Sequence, residues 1–458
     1  MAKDKLTDYD STTPSNNTDI GGISVAEGML PSAVNNSIRE LTKQLGAFAD
    51  GTDGIDVLSL ADDDASHAIK LQAPASVTAT TTFTLPDGDG ASGQAMITDG
   101  AGTLSWAAPY GNRNLIINGA MQVAQRGTSS SSSGYQTVDR FKTNLSGPTI
   151  TQSQHSLTSS DTPYSYGFRS SYHIEVTGVG TNAATDYLEI NQNIEAQNIA
   201  KSGWNYTSAS SFITLSFWVK ASVAGTYAVL FDSTDGTQQL YGFEYTVSAN
   251  TWKKVTHTIP GYSNIAVDND NGIGLRLFII LYYGTDYTVA SSPLNEQWGT
   301  LGSPTDYVND FAQNMLTTAN ATFEVTGVQL EVGETATPFE HRSYGDELAR
   351  CQRYYAKTYN DGVAPGTATS AGSVFHSLDA QQGYAKATWD FPVTMRSNPT
   401  IVLYNDNDGT SGQVGGDSTN YTGSAAYIGN NRAIGGVSGI ALGGSTYLRF
   451  HATMDAEL

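Results

Sequence analysis

Between residues 111 and 345 one apolar alternation follows another, and no helical pattern separates them. "SYHIEVTG" alternates Tyr172, Ile174 and Val176. "FITLSFWVKA" puts Ile213, Leu215, Phe217 and Val219 on one face, and "LYGFEYTV" does the same with Tyr241, Phe243, Tyr245 and Val247. "WKKVTHTIPG" holds Val255, His257 and Ile259 in register, and "GLRLFIILYYG" is a nearly continuous apolar run suited to a central strand. "ATFEVTGVQLEVG" alternates with Gly327 at the switch of face, which predicts a bulge. A period of two is the signature of strands with one buried face. Turn clusters such as "DSTDGT" and "DNDNGIG" separate these runs. About eight strands over about 230 residues, with no interleaved helices, predict a jelly-roll β-sandwich.

Composition agrees with a mainly β chain. Of 458 residues, 47 are Gly and 25 are Tyr, and only 15% are charged. Disorder calls for dense charge and few aromatics, whereas aromatics here make up 10%. The net charge of -21 argues against binding a phosphate backbone or an anionic membrane, so no nucleic-acid partner is expected. Cys351 is the sole cysteine, which leaves neither an internal disulfide nor a Cys-based zinc site. No apolar run approaches the roughly 20 residues of a membrane span. "MAKDKLTDYD" lacks the apolar core of a signal peptide, so synthesis in a cytoplasm is expected.

The flanks of the sandwich read differently. Residues 1–54 form an extended polar arm that ends in a short coiled-coil-like helix. In "LPSAVNNSIRELTKQLGAF", Val34, Ile38, Leu41, Leu45 and Phe48 recur at spacings of 4, 3, 4 and 3. That is a heptad seam, with Pro31 in the first turn and Gly51 as a stop. The seam either packs on a neighbouring β domain or pairs with copies of itself; the flanking sequence offers little to pack on. Residues 55–110 carry short alternations around Ile69, Leu71, Phe83 and Leu85, with "DGDG" and "TDGAG" as turns. Strands this short enclose no core within one chain, so an intertwined stem shared by several chains is expected. The sandwich spans 111–343. "YGDELARCQRYYAK" places Leu348, Cys351 or Gln352, and Tyr355 at helical spacing, so 344–358 is read as a linker helix. Residues 359–458 are Gly- and Ser-rich, with strands around "AKATWDFPV", "PTIVLYN" and "STYLRFHATMD", and are read as a small C-terminal β tip domain. At the sandwich entrance, "NRNLIINGAMQVAQRG" is read as an entry strand. Asn118-Gly119 suits a type I′ turn, and Leu115 and Ile117 would face the core.

Several of these segments carry a resemblance. "TTPSNNTDIGGISVAEGMLPSAVNNSIRELTKQL" resembles the N-terminal attachment region of bacteriophage tail fibres, and "KLQAPASVTATTTFTLPDGDGASGQAMITDGAGTLSW" looks like the short-strand segment that follows it there. "NRNLIINGAMQVAQRGTSSSSSGYQTVDRF" and "FEVTGVQLEVGETATPFEHRSYGDELARCQRYY" are similar to the start and end of a sandwich module in tail fibres of marine and cyanobacterial phages. Residues 359–458 carry no such resemblance, as expected of a host-specific tip. The resemblance implies a homotrimer in the virion tail, gripped at its N-terminus by a tail or adaptor protein, whose far end meets a host glycan or outer-membrane protein. The alternatives are a polysaccharide-degrading tailspike and a purely structural fibre or capsid decoration.

Reactive chemistry is sparse. The seven histidines (67, 155, 173, 257, 341, 376 and 451) form no pair at metal-ligand spacing. There is no G-x-S-x-G elbow, no phosphate loop and no long solenoid repeat. Carboxylates abound, so a glycosidase pair depends on distances in space. The expectation is a protein that is not an enzyme and has no cofactor. Asp268 with Asp270, and Asp406 with Asp408, place hard oxygen ligands at alternate positions, the chemistry calcium takes; such acidic segments also serve simply as turns. Tyr404, Tyr421 and Tyr427, in Gly-rich stretches of the tip, are the candidate receptor contacts. Trp204, Trp218, Trp252 and Trp298 are read either as core or trimer-interface residues or as sugar-stacking rings.

Overall fold

The structure is a computed structural model. It describes residues 18–20, 23–24, 30–49, 57–61, 68–72, 82–88, 95–98, 102–107, 113–377, 384–417, 420–438 and 447–458. Two compact units result, Met1–Ala108 and Pro109–Leu458. The chain is mainly β, as the alternation requires. Among the described residues no helix is long and apolar enough to cross a membrane.

Among its described residues the first unit holds the helix Pro31–Ala49 and three two-stranded pairings: Asp19–Ile20 with Ile23–Ser24, Val57–Ala61 with Ala68–Gln72, and Ala95–Thr98 with Leu104–Ala107. The helix turns its polar side inward. Ser37 and Gln44 are buried, while Val34, Ile38 and Leu45 of the heptad seam lie exposed. Leu41 is half-buried, and the Phe48 side chain lies outside the described residues. Phe83, Leu85 and Met96 are also exposed.

The second unit begins with the sandwich. One sheet has six strands, in the order Lys253–Pro260, Phe212–Ala221, Thr322–Val332, Ser170–Gly178, Thr149–Ser156 and Ser129–Ser130. The other has five: Gln239–Val247, Gly225–Ser233, Ile273–Tyr283, Tyr187–Glu195 and Lys142–Ser146. Every pairing within both sheets is antiparallel. The inward alternates named from sequence close the core. Tyr172, Ile174, Leu215, Phe217, Val219 and Phe243 are all essentially inaccessible to solvent. Gly327 sits at φ 65°, opposite a register shift between Ser216 and Trp218, which is the expected bulge. A Cβ there would lie 2.6 Å from the Phe168 ring.

The entrance differs from its sequence reading. Residues 113–128 contain no strand and no hairpin. Asn118 does adopt a left-handed φ of 62°, but Met121, not Gly119, is the next residue to do so. A type I′ turn needs two consecutive positive φ values. The Asn118 side chain ties the loop together by donating to the carbonyls of Val123 and Asp139 and accepting from Val123 N–H. Ile116 and Val123 are fully buried. Gly119 has a different use: a Cβ there would lie 2.0 Å from the Val328 carbonyl oxygen. A buried irregular segment held by a side-chain amide leaves no periodic trace in sequence.

The helix after the sandwich runs from Tyr344 to Gln352, with the Ser343 hydroxyl accepting from Asp346 N–H as its N-cap. It ends before Tyr355, which enters a strand, Tyr355–Lys357, so the helical spacing to that residue does not hold. Leu348 and Cys351 pack on Ile117, Val123 and Tyr354. Beyond the sandwich, one sheet centres on Tyr447–Asp455, which pairs with Tyr355–Lys357, Val374–Ser377 and Thr400–Asn405, and a three-stranded sheet joins Tyr384–Asp390, Arg432–Ser438 and Ser424–Ala426. Residues 359–458, read as a tip domain, thus share one compact unit with the sandwich.

Candidate functional site

The outward face of the five-stranded sheet carries the most developed surface feature. Its rungs follow from register. Leu240, Asp232, Arg276 and Asn193 form one. Gly242, Leu230, Phe278 and Asn191 form the next, and Glu244, Ala228, Ile280 and Glu189 the third. A register shift follows: Glu189 pairs with Ile280, but Leu188 pairs with Tyr282. Leu281 is the extra residue. It and Tyr282 both face the inner core, and Tyr283 is delivered to the outer face, opposite Tyr187. Without the bulge, alternation would turn Tyr283 inward.

A long connection between residues 284 and 311 walls one side. Leu294 and Val308 pack on Ala228, Leu230, Leu240 and Ile280. The wall is pinned by backbone bonds between Leu240 and Gly299 at 2.8 and 3.0 Å and by Thr288 Oγ1 donating to Asp310 Oδ1 at 2.7 Å. It contributes Tyr287 and Tyr307. Four tyrosines then meet. Tyr187 lies edge-on to Tyr283 and Tyr287, with centroids 6.4 and 5.7 Å away. Tyr283 lies 5.5 Å from Tyr287 and 6.4 Å from Tyr307.

Between wall and sheet lies a cleft of about 310 Å³ that touches all five strands, from Asn144 to Leu240. Its polar groups are fixed in place. Glu189 accepts from Asn144 Nδ2 at 2.8 Å and from the Tyr283 hydroxyl. Asp232 accepts from Gln238 Nε2 at 2.9 Å and from Arg276 at 3.3 Å. Burial pushes both carboxyls above their ordinary range, against the pull of these same donors. Burial likewise holds Tyr283 well above, and Tyr187 and Tyr307 above, the ordinary phenol value, so the rings stay neutral. Fixed acceptors beside clustered aromatic rings can bind a polyhydroxylated ligand by stacking and hydrogen bonds.

Two other hollows are larger, at about 600 and 690 Å³. The first lies between edge strands, and its rings, Phe243 and Tyr245, belong to the core. The second follows the helix Tyr344–Gln352 and has no Phe, Tyr or Trp in its lining. Neither matches the cleft in combining several half-buried tyrosine rings with oriented acceptors.

The residues singled out from sequence do not converge. Tyr421, read from sequence as a receptor contact, is a buried residue in the core of the C-terminal sheet. Tyr404 is half-buried, 6.0 Å from Tyr359. Tyr427 is 80% exposed and stands alone in a turn. Trp204 and Trp298 are buried and donate to the carbonyls of Ser211 and Pro260. Trp218 is buried, and half-buried Trp252 donates to Asp161. Asp268 offers its N–H to Asp235, Asp270 accepts from Gly272, and Asp408 accepts from Thr410 and Asn420. Asp406 is buried against Arg449 at 2.8 Å. Among the described residues no group of three or more His, Cys, Asp or Glu is arranged to hold a metal ion.

No family model matches the sequence, and no curated protein matches it. Solved structures to which the chain shows a partial likeness include the enzymatically active domain of bacteriophage CBA120 tailspike protein 4. It is 11% identical, covers 48% of this chain and has a TM-score of 0.27; the match spans about a fifth (21%) of the tailspike chain. A family 11 carbohydrate-binding module from Clostridium thermocellum is 13% identical over 47% of this chain and 99% of its own, with a TM-score of 0.22. The N-terminal cellulose-binding domain of Cellulomonas fimi β-1,4-glucanase C is 8% identical over 47% of this chain and 99% of its own, with a TM-score of 0.24.

Proposed function

We propose that this chain is a homotrimeric phage tail fibre that attaches to the virion tail by its N-terminal arm and recognises a glycan on the host surface through the cleft of the five-stranded sheet. The observation that carries the glycan reading is the cluster of Tyr187, Tyr283, Tyr287 and Tyr307 beside the oriented acceptors Glu189 and Asp232. The tail-fibre reading rests on the resemblance of the arm and of both ends of the sandwich. The exposed Val34, Ile38 and Leu45 favour further copies of the chain as partners. Weak sites repeated on one trimer, and on several trimers per virion, multiply through effective concentration.

Binding without hydrolysis is the reading adopted for the site: both carboxyls are already tied to protein donors, Glu189 to Asn144 and Tyr283, Asp232 to Gln238 and Arg276. The test is adsorption. Purified protein should bind host cells and compete with the phage, and Tyr287→Ala should lose that competition. Release of reducing sugar from host envelope would overturn the non-enzymatic reading.

A further inference from the structure

We infer that the ligand of the cleft is an uncharged glycan, an inference that rests on the glycan-binding reading above. The cleft is lined by two carboxylates, Glu189 and Asp232, and by one cation, Arg276. That cation is held by Asp232 at 3.3 Å and does not stand alone before a ligand. Lys142, two residues before the cleft residue Asn144 on the same strand, is likewise engaged by a carboxylate, since it acts on Glu189, and its ammonium lies 5.6 Å from the centroid of the Tyr135 ring. A uronate, sulfate or sialate would therefore meet carboxylates without a dedicated counter-charge. The chain's net charge of -21 adds long-range repulsion of any polyanion.

The hydrogen-bonding chemistry points the same way. A carboxylate has about four acceptor sites and no donor. Glu189 receives two donors, from Asn144 and Tyr283, and Asp232 receives two, from Gln238 and Arg276. The acceptor capacity left over matches sugar hydroxyls, which donate. Ligand carboxylates and sulfates cannot.

The experiment is affinity electrophoresis of the full-length protein in gels containing neutral polymers (glucan, galactan, mannan), acidic polymers (alginate, hyaluronan, polygalacturonate) or cationic chitosan. Each is run at about 20 mM and about 500 mM NaCl, which shortens the screening length several-fold. The expected result is retardation by a neutral polymer, changing less than about twofold with salt. Asp232→Asn should weaken that retardation and, by releasing Arg276, introduce salt-sensitive retention by an acidic polymer. Retardation by acidic polymers or chitosan alone, abolished at high salt, would overturn the uncharged-ligand inference and leave glycan binding standing. Retardation by no polymer would overturn the glycan reading itself.

Discussion

Arg140 and Glu457, 317 residues apart in sequence, form an ion pair in the interior of the second unit. The guanidinium also lies over the Tyr354 ring, 3.5 Å from its centroid, and donates to the Asn193 carbonyl. Glu457 pairs with Arg126 as well, at 3.3 Å. Burial opposes the charge on both arginines, yet Glu457 holds both pKa values above the ordinary arginine value. One carboxylate thus serves two buried cations contributed by the sandwich.

Glu457→Ala should therefore cost about 3 to 5 kcal/mol, because it strands charge in the interior. Asp455, whose side chain is 44% exposed where it meets Arg126, should cost less than about 1 kcal/mol when replaced by Ala. Urea midpoints of the two variants provide the comparison. Equal shifts would mean that the buried pair has no special weight.

Asp139 gives a pH dependence with a defined sign. Burial raises its carboxyl to about 6, against the opposing effects of Arg126 and Gln125. The folded state therefore holds its proton more tightly than the unfolded chain. Its contribution is fully present below about pH 4 and is lost as pH rises through about 6, amounting to about 3 kcal/mol. Asp139→Asn should remove that slope. Stability measured from pH 4 to 7 for wild type and variant checks this, and parallel curves would refute it.

Gly119→Ala should destabilise by several kcal/mol, since the new Cβ would lie 2.0 Å from the Val328 carbonyl oxygen in packed backbone. Gly345→Ala, in the helix Tyr344–Gln352 with nothing within 4 Å, should stabilise by about 0.5 to 1 kcal/mol. Melting temperatures moving in opposite directions would bear this out.

Tyr287→Ala should reduce glycan affinity about tenfold or more, as loss of an aromatic anchor does. Its ring is half-buried in the wall and outside the main core, so near-native thermal stability should accompany the loss. Unchanged retardation in the polymer gels would remove Tyr287 from the site.

Ile38→Asp together with Leu41→Asp should lower the assembly state. Light scattering of the wild-type protein should give three times the mass of the chain. A one-chain mass for wild type would overturn the trimer.

The sandwich was legible in the sequence because its strands bury one face each, so residues such as Leu215, Phe217 and Phe243 stand at a period of two. Gly327 announced its bulge for the same reason: it interrupts that period. The entrance loop was not legible, because Asn118 organises it through side-chain bonds to residues at irregular offsets. Nor was the cleft. "GLRLFIILYYG" reads as apolar but for Arg276, and nothing local marks that Leu281 shifts the alternation or that Tyr307 returns over the strand. Tyr421 and Tyr427 look alike in Gly-rich sequence; only packing separates a core ring from an exposed one.

The strand Ile273–Tyr283 keeps two sets of residues apart. Leu275, Leu277 and Ile279 face the folded interior, while Arg276, Phe278 and Tyr283 face the cleft. Mutational variation in the second set, and in Tyr187, Tyr287 and Tyr307, leaves the first set untouched. A combinatorial library confined to those outward positions would vary the cleft while keeping the inner core of the sandwich intact, at the expense only of the smaller apolar cluster that Tyr283 shares with Leu230, Leu294 and Val308.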